Sequence, residues 1–277
     1  MLRSVLVALD GSIYSESAAS LAIEWALRHG ARLVALGVVD APSIQRAEPV
    51  PLGAAAYKRA RDEARLADAH RRVTEHLAEF LARSQAAGVP AEVLKDIDDP
   101  ATSIVREAER CDVVILARET HFHFETQDRP DHTLAQVLRG SPRPVVVVPR
   151  ELPHGRGVIL AYGGGREAAR TIQTFHLLGL DAGEAVELVS IHRDGATAEA
   201  LAAQGGEYLA SHGAAPRVRA IVSAAPPAQV LLEEIRRAQP RLLVMGAHGH
   251  HPLRDLFSTS VTRAVLRDCP VPAFVGA

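Results

Sequence analysis

Apolar residues fall in short runs, and in the stretches between them apolar positions recur every three or four residues. Runs at residues 2–9, 33–39, 91–95, 113–116 and 145–148 have strand length. Those at 33–39, 113–116 and 145–148 are unbroken rather than alternating, and so predict strands buried on both faces, the pattern of a parallel sheet covered by helices. A helix is predicted from Ser15, as its N-cap, to about His29, with Ala18, Leu21, Ala22 and Trp25 on one face. A long helix is predicted over residues 57–86, where Leu66, Ala69, Val73, Leu77 and Phe80 recur at helical spacing and Gly88 ends the run. Pro100 opens the next helix with Asp99 as its cap, and residues 134–138 form a short one.

The second half repeats this order from Gly157 onward, with a shorter second helix near residues 198–210. Pro100-Ala and the run 113–116 recur as Pro227-Ala and the run 242–245. Val137-Leu-Arg139, Pro142 and Pro144 recur as Val265-Leu-Arg267, Pro270 and Pro272. The opening run 5–9 recurs as 158–161, followed by Gly163-Gly-Gly165. Matches in the same order argue for duplication. The expected domains are residues 1–149 and 157–277, with 150–156 as linker.

The formal net charge is −2, and the cations, nearly all arginine, are scattered. Neither nucleic acid nor membrane is therefore an expected partner. Two cysteines, Cys111 and Cys269, cannot form a disulfide framework and suit a reducing cytoplasm. No stretch reaches transmembrane length, and the N-terminal apolar run is too short for a signal peptide.

In an open sheet of strand order 3-2-1-4-5, the loops after the first and fourth strands border one crevice. Asp10 and the loop from Ala117 should face each other there, as should Gly163 and the loop from Gly246. Gly246-Ala-His-Gly249 follows the run 242–245, and Thr259-Ser-Val-Thr262 lies beyond it. Closely spaced glycines let bare backbone N–H groups approach an anion. The segments Val7-Ala-Leu-Asp10-Gly-Ser12, Pro100-Ala, Met245-Gly-Ala-His-Gly249 and Ser260-Val-Thr262, in this order, resemble the universal stress protein family in two tandem copies.

That resemblance implies two flavodoxin-like, doubly wound α/β domains, each a five-stranded parallel sheet with helices on both faces. It also implies an adenine-nucleotide site for ATP, with Mg2+ as a candidate companion. In the second copy the implied residues are Ala161, Gly163, Ile191, Met245, Gly246, His248, Gly249, Thr259, Ser260, Val261 and Thr262. Gly163 stands where the family has an acid, and Thr259 where it has a third glycine. In the first copy Ala8, Asp10, Val38, Ala117 and Thr120 mark a vestigial site. There Asp131 and His132 fall near the later hydroxyl motif, and a carboxylate at that place repels phosphate. One nucleotide per chain is expected, in the second copy.

Other groups have two readings. Asp10 suits a base or metal ligand, or a turn that caps the next helix. His248, His250 and His251, with His121 and His123 in the matching loop, could chelate a transition metal, but no cysteine or carboxylate stands at ligand spacing. They are read as loop histidines, with no metal. Asp96, Asp98 and Asp99 read as helix capping, the cysteines as buried and inert, and Trp25 as core.

Without a Walker-type lysine or a positioned nucleophile, a cytoplasmic sensing or regulatory protein is expected rather than a fast enzyme. The alternatives are a ligand-free interaction module and a weak ATPase. The fifth strands, apolar and at sheet edges, suggest an internal pseudo-dimer of the two copies or a homodimer.

Overall fold

The computed structural model describes residues 1–49, 51, 53–122, 131–247 and 261–276. The chain divides into two compact units, Arg3–Gly140 and Met1–Leu2 with Ser141–Ala277.

The first unit runs β1 (Ser4–Leu9), α1 (Ser15–His29), β2 (Arg32–Val39), α2 (Ala41–Ile44), α3 (Ala55–Ala86), β3 (Ala91–Ile97), α4 (Pro100–Ala108), β4 (Val113–Ala117) and α5 (Thr133–Gly140). Its strands pair in the order β3-β2-β1-β4, all parallel, with Leu6 opposite both Val34 and Val114. Consecutive residues of β1 and β4 are buried, so both faces of these strands are covered. Trp25 and Phe122 are among its largest fully buried side chains.

The sequence placed the start of α1 one residue too far along in its role. Tyr14 occupies the N-cap position without a side-chain cap, and Ser15 is the first helical residue. The Ser15 hydroxyl donates instead to the Ser12 carbonyl at 2.9 Å, because the turn after β1 already supplies that acceptor. At α4 the expected cap is present: the Asp99 carboxylate accepts from the Thr102 N–H at 2.9 Å, ahead of Pro100 in the first turn.

The second unit runs β5 (Val145–Val148), β6 (Val158–Ala161), α6 (Gly165–Leu177), β7 (Val186–His192), α7 (Gly195–Ser211), β8 (Arg217–Val222), α8 (Pro227–Ala238), β9 (Leu242–Gly246), α9 (Val261–Asp268) and β10 (Ala273–Gly276). Strands β8-β7-β6-β9-β10 are parallel and follow the expected 3-2-1-4-5 order of one repeat. Phe175 of α6 meets Phe274 of β10 edge to face, with ring centroids 5.5 Å apart.

The fifth strand of each copy, expected as an apolar sheet edge, has the other as its partner. β5 pairs antiparallel with β10, Phe274 opposite Val146. β10 thus carries a partner on each side, β9 and β5, and is not an open edge. Both strands are short and wholly buried, and each satisfies backbone groups the other would leave bare.

Candidate functional site

In the first unit the crevice is bridged by its own groups. Asp10, 2% exposed, follows β1. Its Oδ1 accepts from the Ser12 N–H at 2.9 Å and hydroxyl at 2.7 Å, and its Oδ2 accepts from the His121 N–H at 2.6 Å. The His121 ring stacks on Tyr14, centroids 5.2 Å apart. Asp131 accepts from the Phe122 N–H at 2.9 Å and from the Thr133 N–H, at the start of α5, at 2.8 Å. Backbone donors of the kind that could meet a phosphate therefore already meet carboxylates. Ala8, Val38, Ala117 and Thr120 are all buried in this unit. Of the two readings of Asp10, the turn and loop tie is the one its hydrogen bonds display.

The second unit keeps its crevice open. A cavity of about 400 Å³ lies at the tips of β6, β7 and β9. The strand register sets Ala161 beside both Val189 and Met245, so these tips form a common floor. Ile191, Leu201 and Leu231 make apolar walls. At one side lie Gly163 and Gly164, leading into α6. Gly164 is the N-cap of α6 at φ 76°, and no side chain caps the helix there. The N-cap residue therefore has no side chain of its own to cap the helix, whose first turn carries Glu167, and the helix dipole at this end favours an anion.

Gly163 replaces the acid of the first unit. A Cβ built on it meets nothing within 4 Å. Gly246 is the opposite case. Its Cβ would lie 2.9 Å from the Ala168 nitrogen, so β9 and the backbone of α6 approach closely only because that position is glycine.

Of the residues expected to form the nucleotide site, Ala161, Gly163, Ile191, Met245, Gly246, Val261 and Thr262 line this single cavity. His248, Gly249, Thr259 and Ser260 lie outside the described residues. Thr262 serves the scaffold: its hydroxyl donates to the Ala247 carbonyl at 2.9 Å and ties α9 to the end of β9. The Ala247 N–H donates to the Gly276 carbonyl at 2.8 Å and is turned toward β10 rather than the cavity.

Sequence reasoning missed several lining residues: Tyr162, Gly164, His192, Thr197, Leu201 and Leu231. Only Gly164 carried a signal, within the triple glycine. The Tyr162 carbonyl accepts from the fully buried Ser190 hydroxyl at 2.7 Å, which locks β6 to β7 at the cavity edge. Burial pushes the Tyr162 phenol above its ordinary pKa.

No carboxylate lines the cavity among the described residues. Asp194 stands close by, but its carboxylate caps α7, accepting from the Thr197 N–H at 2.8 Å and hydroxyl at 2.6 Å. Those bonds hold it below the ordinary carboxylate range. Mg2+ prefers carboxylate and phosphate oxygens, and the described walls offer it no anionic oxygen.

Among the described residues no group of His, Cys, Asp and Glu is arranged to hold a metal. His123, His250 and His251 lie outside them. Both cysteines are buried and neither is in a disulfide, and burial raises the Cys111 thiol. Among the described residues no helix is long and apolar enough to cross a membrane.

Comparison with known proteins agrees with this architecture. The family model described as the universal stress protein family matches residues 1–149 and again 166–275. A universal stress protein of Synechocystis is 28% identical over 163 residues. That match takes in 58% of this chain and 56% of the relative, so the chain spans little more than half the length of the curated protein it matches. Among solved structures, a universal stress protein from Archaeoglobus fulgidus superposes with a TM-score of 0.72 at 19% identity, covering 98% of this chain and 97% of that one. A protein from Pseudomonas aeruginosa described as a putative universal stress protein gives a TM-score of 0.60 at 16% identity, covering 99% and 92%. These structures show the shared fold. With its model matched twice along the sequence, the chain belongs to the universal stress protein family and carries the family's domain in tandem.

Proposed function

We propose that the second unit binds one adenine nucleotide, ATP, and that the chain acts as a cytoplasmic stress-response regulator rather than a catalyst. The observation that carries this reading is the cavity itself. Its apolar walls, among them Ile191, Leu201 and Leu231, suit a flat base, and the glycine-lined N-terminal end of α6 suits a phosphate. The described lining holds no carboxylate and no lysine, which favours binding over phosphoryl transfer.

Calorimetric titration of the full chain with ATP, with and without Mg2+, tests the reading. One site per chain is expected. Leu201→Trp, which fills the cavity, should abolish it. Absence of binding by the folded wild-type chain would remove the nucleotide assignment. Phosphate release above a heat-killed control would favour the weak ATPase instead.

For the first unit the bridge from Asp10 to His121 favours the other role, that of a ligand-free interaction module. Pairing of β5 with β10 supports an internal pairing of the two repeats in place of a homodimer through those edges.

A further inference from the structure

His192 ends β7, one residue beyond Ile191, and lines the same cavity. The inference drawn from it rests on the nucleotide reading of that cavity. Its Nδ1 lies 3.0 Å from the Asp194 N–H, which can donate to it, and 3.3 Å from the Asp194 carbonyl. When Nδ1 accepts the shorter of these two contacts, the neutral imidazole carries its hydrogen on Nε2. The same contact fixes the ring's position at the strand end. His192 is therefore a pre-set donor beside an apolar slot.

The neighbouring hydroxyls of the lining are already engaged. That of Thr197 donates to the Asp194 carboxylate at 2.6 Å, and that of Thr262 to the Ala247 carbonyl at 2.9 Å. Tyr162 is the remaining phenol, its ring packed where a Cβ on Gly205 of α7 would touch it at 3.0 Å. The corresponding strand of the first unit ends in Val39, which has no side-chain donor, so this feature belongs to the second copy alone.

We propose that His192 reads the base: its Nε2–H donates to an in-plane ring nitrogen of the purine that enters the slot. A donor at the edge of an apolar wall discriminates strongly, because a base lacking the acceptor leaves the N–H unpaired. The ligand class is thus a purine nucleotide selected by one ring acceptor, not any flat aromatic of similar size.

The test is a cycle between protein and ligand on the full chain. Affinities for ATP and for its 1-deaza, 3-deaza and 7-deaza analogues are measured for wild type, His192→Phe, His192→Gln and Tyr162→Phe. Phe keeps a flat ring without the donor, and Gln restores an N–H. We expect His192→Phe to weaken ATP about tenfold, the scale of one hydrogen bond. One deaza analogue should bind wild type about tenfold more weakly and show no further loss on His192→Phe. His192→Gln should recover part of the affinity, and Tyr162→Phe should leave the pattern unchanged. If ATP binds but His192→Phe matches wild type, or its loss is equal for all four ligands, His192 does not read the base. If the folded wild type binds no ATP, the nucleotide assignment falls and this inference falls with it.

Discussion

The Asp10 carboxylate and the His121 N–H lie 2.6 Å apart, which joins the loop after β1 to the loop after β4. The same carboxylate holds Ser12 through its N–H and hydroxyl. Asp10→Ala would strip the acceptor from a nearly buried crossing. We expect a loss of about 2 kcal/mol from the first unit, within the range for hydrogen bonds to a charged group. Trp25 is the only tryptophan and is 1% exposed within this unit, so its fluorescence follows first-unit unfolding in urea. An unchanged midpoint would show that the crossing contributes little.

Gly163 occupies the place that Asp10 takes in the first unit, and its Cβ direction is open. Gly163→Asp should fold normally and supply the missing anionic oxygen. We expect the variant to bind ATP more tightly when Mg2+ is present, by about 1 kcal/mol, and less tightly in its absence, where the carboxylate only repels phosphate. Titrations with Mg2+ and with EDTA check the sign of each change. Equal affinities in both would place residue 163 away from the metal and phosphate.

Gly246→Ala should destabilise the second unit by about 1–3 kcal/mol, the usual range for overpacking. The added methyl would stand 2.9 Å from the Ala168 nitrogen and 3.1 Å from its Cα, and helix backbone cannot rotate aside. Gly163→Ala is the matched control, with no neighbour within 4 Å. Differential scanning calorimetry of the pair separates a local clash from a general loss of glycine. Similar melting of both variants would argue against the close approach.

Glu234 of α8 lies between Arg219 of β8, at 2.9 Å, and Arg237. Burial pushes its carboxyl up, but hydrogen bonds from Arg219 and Arg237, and their charges, outweigh that and hold it below the ordinary value. The folded state then binds fewer protons than the unfolded chain just below the reference glutamate value of about 4.3. The stabilisation is complete above that value and is lost as pH falls through the lower folded one. Glu234→Gln should be less stable than wild type at neutral pH and should show a flatter acid profile. Urea midpoints by circular dichroism between neutral pH and the acid limb test this, and parallel profiles would contradict it.

The fold was legible because its signal is redundant. Unbroken runs such as 113–116 state burial on both faces, and the repeat of Pro100-Ala as Pro227-Ala confirms the frame. The caps were read unevenly. Asp99 is local and was read from its neighbours. Ser15 depended on where the Asp10 turn sends its bonds, which involves residues distant in sequence. The glycine positions were legible as glycine but not as roles. Gly246 serves close backbone packing, and Gly164 the positive-φ N-cap of α6. His192, Thr197 and Leu201 join the cavity only through the β7–α7 crossover, and no spacing rule links them to Gly246. The direction of β5 was beyond the sequence too, since a run of four valines pairs equally well either way.

The placement of β5 separates ancestry from cooperativity. By descent, Val145–Val148 is the last strand of the first copy, inside the match that ends at residue 149. By contact it is grouped with the residues that follow, as the flank of β10. A C-terminal fragment cut at the duplication seam would expose a naked apolar ribbon edge and invite aggregation. One begun at Ser141 would bring its own cover, so expression trials of the two fragments would reveal which border the chain obeys when it folds.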